Sequence, residues 1–200
     1  MMDFTLLNDA TRAVHLLGLA LGFGVAINAD LCAARSLFRP LQDHEFDDLH
    51  RYHRTVAFGL ALFWLSGLVL MWLRTGFVLA EFSPKLIAKL CVVTLLTLNA
   101  YLIGRIGLPT LLAFQGCSFS ALPLIHRLRL GALAGMSGAG WIAALALGVF
   151  TAMKTFEWSV LSEIIGAIYI IGFSGAIITA VFAPLVAYIV NRAKPYGLAR

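Results

Sequence analysis

His15, Asp30, Lys89, Asn99, Arg105 and Glu163 fall inside, or at the edges of, long apolar runs. Ionisable side chains are costly in such runs and tend to face a bundle interior or a water-filled cavity. His15 can serve as a ligand or carry a proton. The alternative is an imidazole hydrogen-bonded at the headgroup level. At 100° per residue, Gly18, Gly22, Ala26 and Asp30 lie within about 60° of the His15 face, so one side of this segment is small and polar. Lys89 has a long stem that can snorkel outward. It can instead pair with Glu163 or with an anionic ligand group such as a porphyrin propionate or a quinone oxygen. Glu163 itself can be an interfacial charge. Asp30 is expected to pair with Arg105 or Arg35, and Asn99 to bridge two helices by a hydrogen bond. His50 and His53, three apart on a helical stretch, could hold a metal or a lipid headgroup, or belong to a solvated connection. His126 beside Arg127 and Arg129 has the character of a basic anchor. Neither HExxH, a phosphate-binding glycine loop nor GxSxG occurs.

The elements that must position these groups are membrane-length helices. The chain is 60% hydrophobic and only 12% charged over 200 residues, far from the roughly 25% charged of soluble domains. A spanning helix needs about 20 mostly apolar residues. Five runs qualify, giving helices at about 12–36, 54–74, 85–105, 129–152 and 160–190. The expected fold is an all-α integral membrane bundle in one domain. Pro184 lies inside the fifth run and predicts a kink or an overhang there. The segment 108–125 is apolar, yet it carries Pro109, Pro123 and the polar centre Gln115-Gly116-Cys117-Ser118. It is expected to be re-entrant or interfacial. The three cysteines form no CxxC or CxxCH, which argues against a disulfide scaffold and covalent haem attachment.

Charge placement gives an orientation. Five spans put Arg12, Arg74, Lys85 and Lys154 on one side. Ten Lys/Arg, including Arg35, Arg54, Arg105, Arg127, Lys194 and Arg200, then lie on the other. Basic short loops stay cytoplasmic, so the N-terminus is expected outside and the C-terminus in the cytoplasm. The polar groups then form an outer layer with His15, Lys89 and Glu163, and an inner one with Asp30, His50, His53, Asn99 and Arg105. A net charge of +5 fits contact with anionic lipid. No basic run interleaved with exposed aromatics supports nucleic-acid binding.

A His-bearing first helix, an Arg-headed second helix (RTVAFGLALFWLSGLVLMW) and a third helix reaching an Asn (AKLCVVTLLTLNAYL) resemble a group of small bacterial membrane proteins. That group includes the haem-dependent four-helix protoporphyrinogen oxidase and its copper-resistance D-like relatives. The resemblance covers roughly residues 12–108. It implies an inner-membrane location and a haem b site with His15 at the iron and Lys89 as charge partner. Gly18 and Gly22 would make room for a planar group. This chain departs from the group in its fifth helix, its His-rich inner connection and the FSPKLIAKL run around the lysine. Two rival expectations are an accessory subunit of a larger membrane complex or homo-oligomer, and a transporter using Asp30, Asn99 and His15 as a polar path.

Overall fold

A computed structural model of the protein describes residues 4–193. The basic terminal residues Lys194 and Arg200 lie outside the described residues. The described chain is helical, and five of its helical stretches are long and apolar enough to cross a membrane.

The first, α1 (Phe4–Ala34), begins two turns earlier than expected. The polar stretch before His15 is helical as well, with Thr11 Oγ1 bonded back to the Leu7 carbonyl at 2.7 Å. α2 (Asp43–Thr75) starts from a capping box, in which Gln42 and Glu45 exchange side-chain and backbone bonds. It ends at Gly76, whose left-handed φ of 55° suits a residue without Cβ. Ser83 and Pro84 open α3 (Pro84–Leu102), the serine hydroxyl accepting from the Leu86 N–H.

The segment expected to be interfacial divides in two. A π-turn at Ile103–Gly107 carries α3 directly into α4 (Leu108–Ala113). A proline ring clashes with the carbonyl four residues back and offers no N–H to it. For Pro109 that residue is Arg105, inside the widened π-turn, which accommodates the proline without ending the helix. Residues 114–123 then form a connection with one 3-10 turn at Phe119–Ala121. Gln115 ties this connection to the start of α2 by a 2.6 Å bond to Asp43.

α5 (Leu124–Val149) and α6 (Trp158–Ala193) complete the bundle. Lys85, buried at the head of α3, donates to the Phe150 carbonyl at the end of α5 at 2.6 Å. α6 runs through Pro184 without a break. Pro184 leaves the Ala180 carbonyl without its helical donor, and Arg127 of α5 supplies one at 3.0 Å.

Glycines set two close helix pairs. A Cβ on Gly59 would lie 2.7 Å from the Gly22 nitrogen, and one on Gly18 would lie 2.9 Å from the Phe63 nitrogen. α1 and α2 therefore touch backbone to backbone. α5 and α6 do the same, where a Cβ on Gly135 would meet the Gly172 carbonyl oxygen at 2.8 Å. Such close approach maximises dispersion contact between the paired helices. α3 packs against α5 through Ala88, Val92 and Leu96, which share a buried core with Trp141, Ala144 and Leu147.

Candidate functional site

Two cavities lie along the seam where α1 and α2 meet the other helices, one toward each end of the bundle. The larger, near the start of α1, has a volume of about 1030 Å³. His15 lies on its wall. The imidazole stacks on Phe63 with ring centroids 4.0 Å apart and sits over Gly67, whose missing side chain leaves the space. Its Nδ1 lies 2.9 Å from Ser66 Oγ. That hydroxyl already donates its single proton to the Leu62 carbonyl at 2.6 Å. With that proton on Leu62, Ser66 is set to accept from an Nδ1–H, the tautomer in which a neutral imidazole keeps its lone pair on Nε2. A ring held through one nitrogen, with the other bare, is how a metal-binding histidine is oriented.

Lys89 lines the same cavity, as do Arg12, Arg74 and Lys154. Among the described residues, no Asp or Glu lines it. Among the described residues, Arg74, Lys89 and Lys154 form no ion pair, while Arg12 reaches Asp9 at 3.9 Å. The cations accompany an apolar wall that includes Leu16, Leu19, Met71, Leu90 and Val93. A cavity of this kind suits a molecule with an apolar body and anionic substituents. Pockets of roughly 300–1,000 Å³ hold cofactor-sized ligands.

One expectation for this end needs correction. Gly18 and Gly22 open no slot for a planar group: the α2 backbone lies against Gly18, and a Cβ on Gly22 would meet the Trp141 ring at 2.3 Å. The room beside His15 comes from Gly67 instead. Of the two alternatives for Glu163, the pair with Lys89 is not formed, and the side chain is exposed. Arg12, Arg74 and Lys154, which charge placement assigns to the same side as His15, line the cavity with it.

The second cavity, about 290 Å³ in volume, lies toward the Arg35–Arg54 connection. Asp30, His53 and Asn99 all line it, with a wall that includes Ala26, Leu60, Leu96 and Trp141. His53 lies over Gly104, where a Cβ would come within 2.7 Å of the ring Nε2. The Asn99 amide donates to the Leu133 carbonyl at 3.0 Å, the expected bridge between helices. Asp30 pairs with neither expected arginine. Arg105 lies 6.0 Å over the Tyr101 ring, and Arg35 turns to Glu45 at 3.1 Å. His50 does not line the cavity. Among the described residues, no third His, Cys, Asp or Glu joins His50 and His53 in a metal-binding group.

Glu45 is what captures the arginines. It is only 1% exposed, in the charged stretch ahead of the apolar part of α2. Arg39 donates two 2.7 Å bonds to its carboxylate, and the Gln42 N–H adds one at 2.9 Å. The Arg39 bonds, then the Gln42 N–H and Arg35, hold the carboxyl at about 2, against an ordinary 4.5, despite burial acting the other way. This connection is a built ion cluster, where a solvated loop was one expectation. Compared with known proteins, the chain matches no family model, no curated protein and no solved structure.

Proposed function

We propose that this is a five-span integral membrane protein, N-terminus outside and C-terminus cytoplasmic, that binds a haem-like ligand in the larger cavity. A bacterial inner membrane is the setting implied by the resemblance over residues 12–108. The observation that carries the reading is the meeting of an imidazole nitrogen without a partner, on His15, with four cations in one apolar cavity that no acid lines among the described residues.

The residues fit such a ligand. His15 Nε2 would face the iron, with Ser66 holding the ring and Phe63 supporting its face. Lys89, Arg12, Arg74 and Lys154 would meet propionate carboxylates by charge-assisted contact. When bound, haem supplies one-electron chemistry whose potential follows axial ligation and burial. The chain's own contribution is to fix the ligand, orient it and keep the bare imidazole nitrogen on the iron side.

The test is an absorption spectrum of the purified protein after addition of haem b in detergent. Wild type is expected to develop a stoichiometric Soret band. His15→Ala abolishes its ligation-dependent features, and Lys89→Glu weakens binding about tenfold through loss of one charged contact. A folded wild-type protein that retains no haem once the unbound excess is removed overturns the reading, and leaves the accessory-subunit and transporter alternatives.

A further inference from the structure

The smaller cavity holds groups that the haem reading does not use. Asp30 faces it, and among the described residues no Lys or Arg lines it. Among the described residues the Asp30 carboxylate has no hydrogen-bond or ion-pair partner. The cations nearest in sequence are committed elsewhere: Arg35 and Arg39 to Glu45. Asn99 gives one of its two amide N–H groups to Leu133, and its carbonyl oxygen has no donor among the described residues. His53 lines the cavity from α2 and forms no ion pair with Asp30. Ser36 and Thr179 also line the cavity, but their hydroxyl protons go to the Ala33 and Gly175 carbonyls, so they too face it as acceptors.

With the buried Ser137 hydroxyl, which can donate or accept, this is an acceptor-rich set in a chamber whose remaining wall is apolar. A buried carboxylate wants a counter-charge or a proton. An inorganic divalent cation wants six or more oxygens, and the apolar wall does not supply them. We propose that the cavity binds a small organic ammonium ion with an apolar body, its charge on Asp30 and its N–H groups shared with Asn99 Oδ1. The apolar body would lie against Leu60, Leu96 and Trp141.

The experiment uses full-length protein in detergent and two probes of one shape: 1-aminoadamantane, cationic at neutral pH, and the neutral 1-adamantanol. Tryptophan fluorescence is the readout, because Trp141 lies on the wall. Saturable amine binding is expected, about tenfold tighter than the alcohol. Asp30→Asn is expected to erase that preference while retaining alcohol binding, which reports that the variant is folded. Ala29→Leu, which fills the cavity from α1, should exclude both probes. Equal binding of amine and alcohol to wild type overturns the proposal, as does an unchanged preference in Asp30→Asn or the absence of saturable binding. Haem binding at the other cavity is read by absorbance and is unaffected by either outcome.

Discussion

Ser66 determines what His15 can do, because a hydroxyl has one proton and this one is already given to the helix. Replacing Ser66 with Ala frees the ring to turn and to exchange tautomers. Glu45 shows the same logic in a charged cluster. Its carboxyl titrates near 2 in the folded protein against an ordinary 4.5. The contribution is therefore complete above the ordinary value and is lost as pH falls through that interval. Glu45→Ala is expected to lower stability by about 2 kcal/mol at neutral pH, a discounted figure because both arginines are partly exposed. The gap between wild type and variant should close as pH falls from 5 toward about 2, followed by thermal unfolding in detergent. His15 and Lys89 stood out in the sequence because each interrupts an apolar run. The Asp30 partnership was misread because sequence distance favoured Arg35, while the buried Glu45, beyond the end of α1, turns inward to claim it.

At the scale of elements, α6 survives its internal proline because α5 sends a guanidinium across. Arg127→Met is expected to cost about 2 kcal/mol, the range of a hydrogen bond to a charged group. In a Pro184→Ala background the backbone N–H restored at position 184 would satisfy the Ala180 carbonyl, and the same Arg127 change should cost about half as much. A double-mutant cycle on thermal unfolding measures the coupling; additive effects would remove Arg127 from this role. The five long helices were legible because hydropathy over about 20 residues needs no tertiary information. Their ends were less so: polar residues of the first turns of α1 and α2 are helical without being apolar. Gly18 and Gly22 were legible as a small-residue face of α1. Which surface each would meet was not, since a spacing along one helix cannot name its partner.

For the whole molecule, the proposed orientation places the basic cavity outside and the acceptor-rich one toward the cytoplasm. A reporter fused after Arg200 should be active only in the cytoplasm, and one inserted near Phe77 only outside; the reverse pattern would overturn the charge-based orientation. Both cavities are assembled from several helices, so a change in the phase of one helix alters a chamber as a whole. The π-turn at Ile103–Gly107 is such a change. Counting from Asn99 at 100° per residue, an unbroken α-helix would carry Leu108 about 180° away and Leu111 about 120° away. One inserted residue subtracts roughly 100°, bringing them to about 80° and 20°. Both then share the face of Leu96, Asn99 and Ile103, and all five line the smaller cavity. The extra residue acts as a rotational offset: deleting Gly104 would turn Leu108 and Leu111 out of the wall and leave the chamber open on that side.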